Sequence, residues 1–280
     1  MRNALRVLIV TAVMAMPAWA GIIFTQVTKS EGGRRGDEDS VMKIWSDGER
    51  AKVEWTEGSN PMFGKGSYVL VNETGEMTVV NPEKKSYSKF DMASMMESME
   101  MGMGAAAGFG MKMEFQNVKV EKVLEEPGGD LLGYPTTHYR WHTTWTMVMK
   151  MPAPMKDRHN DTDLMEDVWT TTGISLPGAA NKALAGMGQG PMMGELRKVI
   201  EASRPKMTGF PLKRVSVRKG SGMHGGGQTT TTSIVVTELT NADVPGSTFV
   251  IPSDYKEREM MQPQRGPAMP DLNQKIPDLN

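Results

Sequence analysis

The strongest pattern in the chain is an alternation over residues 134–151. Tyr139, Trp141, Trp145, Met147, Met149 and Met151 occupy odd positions. The even positions carry Thr136, His138, Arg140, His142, Thr144, Thr146 and Lys150, with Val148 the one apolar exception. A period of two with one aromatic, Met-rich face predicts a long, half-buried antiparallel strand. Residues 162–172 are expected to pair with it. Similar alternation, broken by turn residues, predicts strands over 21–31, 68–71, 77–80, 85–90 and 115–124. Residues 212–219 and 229–239 read as a last hairpin across the Gly-rich stretch 220–227.

Residues 39–57 predict a hairpin about Asp47-Gly48, a pair that favours a two-residue turn. That turn sets Ile44 opposite Ala51, Met42 opposite Val53, Ser40 opposite Trp55 and Trp45 opposite Arg50. It also sets Lys43 against Lys52, a like-charge pair that counts against this register.

Two stretches switch to helical spacing. Met92, Met95, Met96, Met99 and Met103 recur as one stripe after Asp91, a candidate N-cap. Pro191 can open a second helix with Met192, Met193, Leu196, Val199 and Ile200 on one face, closed by Pro205. A short helical turn over 179–187 is the third. Many strands with few helices predict a mainly β, α+β fold. We expect a single large curved antiparallel sheet, a half-open barrel with helices on its concave side.

The ends differ from the middle. Arg2 and Arg6 precede an apolar run over 7–16, then Pro17 and Ala18-Trp19-Ala20. This reads as a cleaved signal peptide, residues 1–20, with a periplasmic or secreted product. The apolar run is too short for a span of about 20 residues. With no cysteine in the chain, there is no lipid-attachment cysteine and no disulfide. Residues 21–259 read as one β domain. Residues 260–280, with Pro263, Pro267, Pro270 and Pro277, read as a disordered tail in which Pro-Asp-Leu-Asn occurs twice.

Charge and chemistry narrow the function. A net charge of −1 argues against nucleic-acid binding. No G-x-S-x-G occurs. Carboxylates adjacent in sequence, Glu125-Glu126 and Glu166-Asp167, point to opposite faces of a strand and suit acid/base work poorly. His138 and His142 share a face but lie about 13 Å apart, too far to hold one zinc ion, and read as exposed surface histidines. His159 is expected in a polar turn. No enzyme activity, cofactor or metal site is expected.

Methionine stands out, at 27 of 280 residues. It is flexible and polarisable and suits varied apolar partners. The candidate ligand groove is Trp141, Trp145, Met147 and Met149 on the long strand, with Met95, Met96 and Met99 on the helix. A lipid, an acyl chain or a hydrophobic peptide would fit. The alternatives are a closed core in an envelope interaction protein, and a Met-rich copper binder drawing on Met95, Met96, Met99, Met101, Met103, Met111 and Met113.

Three segments carry a family resemblance: Leu132-Gly133-Tyr134-Pro135-Thr136-Thr137-His138-Tyr139, Gly209-Phe210-Pro211-Leu212-Lys213, and residues 244–255 with Phe249-Val250-Ile251-Pro252. Together they resemble an uncharacterised family of exported bacterial domains, similar in fold to the lipoprotein carriers LolA and LolB. The resemblance covers about residues 21–256. It implies a half-open barrel with helices in its hollow, where the carriers hold acyl chains. No ligand-contacting residue of the carriers maps onto this chain, and fold alone does not fix function.

Overall fold

β-Branched and aromatic residues at period two build almost everything that is seen. The computed structural model describes residues 21–33, 38–58, 64–90, 111–175, 178–180, 196, 199, 200, 202, 207–221 and 227–258. Its strands are β1 (Ile22–Glu31), β2 (Glu38–Ser46), β3 (Ala51–Glu57), β4 (Tyr68–Val71), β5 (Met77–Asn81), β6 (Ser86–Phe90), β7 (Lys112–Leu131), β8 (Tyr134–Lys150), β9 (Arg158–Thr171), β10 (Phe210–Gly220), β11 (Gln228–Asn241) and β12 (Lys256–Glu257). All twelve belong to one sheet, ordered β12-β6-β5-β4-β3-β2-β1-β11-β10-β9-β8-β7.

The order resolves into two meanders, β1–β6 and β7–β11, joined where β1 pairs with β11. The sheet is not closed, since β12 and β7 are its edges. The pairings are antiparallel except β12 with β6, which is parallel and makes the sheet mixed.

One face carries the main core. Ile22, Phe24, Ile44, Val53, Trp55, Val69 and Val71 pack with Phe210, Leu212 and Val236. Phe24 meets Phe210 edge-on, ring centroids 5.4 Å apart. Ile174, Ala179 and Ala180 pack into the same cluster. A smaller cluster of Tyr68, Leu70 and Val80 packs against Tyr87, Ile251 and Tyr255.

Among the described residues, the expected helices on the concave side are not found. Helical residues among those described are 178–180, 196, 199, 200 and 202, with a 3-10 turn over Gly246–Phe249. Of the second stripe, Leu196 is buried and Val199 exposed. Helical spacing of apolar residues sets only a local preference; what is seen of helix is short, with Ala179 and Ala180 packed into the main core. The methionine stripe of 92–103, the signal segment 1–20 and the tail 260–280 lie outside the described residues.

The β2–β3 hairpin corrects the expected register. Ile44 pairs with Val53, Met42 with Trp55, Ser46 with Ala51 and Trp45 with Lys52. The turn is a four-residue one, Asp47-Gly48-Glu49-Arg50. Arg50 N donates to Asp47 Oδ1 at 2.8 Å, and Arg50 Nε and Nη2 donate to Asp47 Oδ2 at 2.9 and 2.6 Å. Ser46 Oγ donates to the Arg50 carbonyl at 2.8 Å. A shift of two residues keeps each side chain on its face. It also replaces Lys43–Lys52 by Lys43–Glu54, removing the like-charge pair.

Candidate functional site

β8 delivers the aromatic strip that its alternation predicts. Tyr139, Trp141 and Trp145 are buried, at 8, 1 and 5 % exposure. Met147 and Met149 continue the same face and are half-buried. Their neighbours on β7 were not assigned to this groove from the sequence, although Met113 was a candidate for copper. Phe115 stands opposite Met147, and Met113 opposite Met149. Cross-strand partners share a face with Cβ atoms about 5 Å apart. The result is a block of Met113, Phe115, Met147 and Met149, all half-buried, contiguous with Trp145. The period-two pattern of 113–115 was the available signal, but cross-strand register decides the pairing. The other candidate groove residues, Met95, Met96 and Met99, lie outside the described residues.

The strip is graded rather than uniformly open. Its Trp141 end is covered and its methionine end is half-open. A charged pair lies beside the covered end. Glu166 on β9 pairs with Trp141 across the ladder, is itself buried, and sits 3.2 Å from Arg214 Nε. Burying a carboxylate is costly unless it is paired, which accounts for the arginine on the neighbouring strand. Arg218 lies over Trp145, its guanidinium 5.7 Å from the ring centroid. Trp145 also borders a cavity of about 660 Å³ at the ends of β8–β11.

The opposite face holds a second cluster. His138 is buried, a correction to its expected surface position. Its ring stacks on Trp169, centroids 4.2 Å apart with planes 1° from parallel. His138 Nε2 lies 2.6 Å from Asp167 Oδ1, and Nδ1 lies 3.3 Å from Glu126 Oε1. Arg140 Nε donates to the same Asp167 oxygen at 2.8 Å. Lys213 Nζ caps Trp169 at 4.5 Å from its centroid. Register explains the assembly: His138 pairs with Trp169, and Trp169 with Lys213. A strand face that looks polar in sequence is buried here by the stack. His142 stays half-buried, 3.3 Å from Asp163. His159 lies in β9 opposite Val148 rather than in a turn. Glu166 and Asp167 do face opposite sides, one toward Arg214 and the other toward His138. Among the described residues there is no group of three or more His, Cys, Asp or Glu able to hold a metal ion.

No protein-family model matches the chain, and no curated protein matches it. Solved structures do. An uncharacterised conserved protein from Thermus thermophilus is similar at a TM-score of 0.36 and 8 % identity, covering 87 % of this chain and 92 % of that one. A LolA superfamily protein from Nitrosomonas europaea is similar at a TM-score of 0.30 and 8 % identity, covering 83 % and 91 %. PNGF-II is similar at 0.33 and 12 % identity, covering 85 % of this chain and 31 % of that one. None of the three reaches a TM-score of 0.5, so the functional reading rests on this chain's own residues.

Proposed function

We propose that this is an exported, non-enzymatic binding or carrier-like protein whose strip seats a lipophile: a lipid, an acyl chain or a hydrophobic peptide. One observation carries the reading. Met113, Phe115, Met147 and Met149 form a half-buried apolar block that runs on into Trp145. A half-covered apolar surface of adaptable methionines suits a ligand with a chain rather than a fixed shape. The resemblance to lipoprotein carriers accords with this and does not identify the ligand.

The test is native mass spectrometry after gentle purification, together with uptake of a fluorescent fatty acid. A co-purifying lipophile is expected, and uptake that falls when Met147→Asp or Met149→Asp is introduced. An apo mass with no uptake would sink the proposal. A second reading is a closed core in an envelope interaction protein. The burial of Trp141 and Tyr139 favours it. In that case the aspartate variants lose stability while no ligand is ever captured.

A further inference from the structure

We propose that the occupant of the apolar strip is a single-chain fatty acid, its carboxylate held by Arg158 at the methionine end and its chain lying along β7 and β8. This rests on the reading of the strip as a seat for a lipophile and adds the occupant's charge and shape. Arg158 pairs with Met149 across the β8–β9 ladder, so the two side chains leave the same face with Cβ atoms about 5 Å apart. Arg158 is exposed. Among the described residues no carboxylate lies within ion-pairing distance of its guanidinium. The adjacent acid, Asp157, is engaged by Lys150 Nζ at 2.8 Å and by Met151 N at 3.1 Å.

Charge decides the class of occupant. Arg158 would repel a soft cation such as Cu(I) on Met113, Met147 and Met149, and a cationic amphiphile in the same way. It attracts a carboxylate, whose two oxygens match the guanidinium fork. The strip face carries two further arginines, Arg214 and Arg218 in β10. Arg214 is held by Glu166. Arg218 is exposed and lies over Trp145. Its ladder partner Leu164 stands six positions along β9 from Arg158, or about 20 Å. One head group therefore meets one of these arginines and not both. Trp145 beneath Arg218 is buried, whereas Met147 and Met149 beside Arg158 are half-open. That difference puts the head group at Arg158.

Shape limits the occupant to one chain. The apolar block spans β7 and β8 alone. β7 is the edge of the sheet, and β9 sets Arg158, Asn160 and Thr162 against Met149, Met147 and Trp145. Adjacent strands lie about 5 Å apart, so the block is a narrow track between an edge and a polar margin. Val120, half-buried on β7 opposite Thr143, continues it past Trp145.

The test titrates dodecanoate, dodecanol and dodecyltrimethylammonium against the full chain by tryptophan fluorescence and calorimetry. Each probe stays below its micelle concentration, at mildly alkaline pH where the carboxylate is ionised. Dodecanoate should bind about three- to tenfold more tightly than dodecanol, the range from an exposed to a well-aligned ion pair, and the cation most weakly. High salt should shrink that preference. Arg158→Gln should abolish it, Arg158→Lys should keep part of it, and Arg218→Gln should leave it intact. The preference is a ratio, so a variant that is merely less stable does not imitate the result. Equal binding of dodecanoate and dodecanol, indifferent to salt and to Arg158→Gln, overturns the proposal and leaves the strip as a seat for neutral lipophiles. Loss of the preference in Arg218→Gln alone overturns it as well. Dioctanoylphosphatidylglycerol binding more tightly than dodecanoate replaces the single chain with an anionic phospholipid and also overturns it. Binding of none of these probes removes the lipophile reading itself.

Discussion

Asp47 and Tyr68 show how single side chains tie stability to pH. Burial pulls the Asp47 carboxyl upward, and the hydrogen bonds and charge of Arg50 outweigh this and hold it below the ordinary carboxylate value. A lowered value means that the contribution is present above the ordinary carboxylate range and is lost as pH falls through the lowered one. Asp47→Asn should therefore cost about 1 kcal/mol at neutral pH, allowing for solvent at the turn. The cost should vanish in acid, as measured by denaturant midpoints across pH. Tyr68 behaves in the other direction. Burial, then the nearby Tyr255 and Glu54, pushes its phenol up to about 12 from 10.0. The neutral phenol is the form the fold favours. Its contribution is complete below about 10 and is lost as pH rises toward 12. Phenolate absorbance should show one of the five tyrosines ionising late, and Tyr68→Phe should remove that step. An early, uniform titration would contradict the burial of Tyr68.

At the scale of elements, β7 is the informative strand. It is an edge of the sheet, twenty residues long. A long free edge invites pairing with other chains. This one is interrupted by three register shifts, between Gln116 and Lys119, Lys122 and Leu124, and Pro127 and Gly129. It also carries exposed Lys119, Glu121, Lys122, Glu125 and Glu126. Lys119→Val together with Lys122→Val should raise concentration-dependent association in light scattering; unchanged scattering would show that the bulges alone protect the edge. Strand identity was legible in the sequence because alternation is local. β8 follows its expected bounds to within one residue. Register was less legible. The β2–β3 turn was misread because Asp47-Gly48 favours a tight turn, while three hydrogen bonds from Arg50 to Asp47 stabilise a wider one. The β8 side of the strip was legible as Trp141, Trp145, Met147 and Met149. Phe115 and Met113 were not, since their role exists only through pairing with β8. The burial of His138 was hidden for the same reason: Trp169 lies 31 positions away in sequence and directly opposite in space.

At the scale of the whole molecule, the β1–β11 pairing makes one unit of the two meanders. Phe24 on β1 reaches across β11 to Phe210 on β10, so the core spans the seam. Phe24→Ala should cost about 3–5 kcal/mol, as a large side chain lost from a packed core. It should lower the stability of both meanders together. Tryptophans in the two halves, Trp45 and Trp55 in one and Trp141, Trp145 and Trp169 in the other, should report coincident denaturation midpoints. Two separated transitions would mean that the halves unfold independently.

The seam also sets the order in which the molecule can come to exist. A chain made from its N-terminus presents β1 with one side paired to β2 and the other side empty. The strand that fills it, residues 228–241, arrives about two hundred positions later. Ladders between such distant partners form slowly, because the loop must close before any contact rewards it. Folding of the central ladder is therefore deferred until residues 228–241 have been made. Until then the β1 margin of the first meander has no strand to pair with, and an unpaired margin is where association with other chains is favoured.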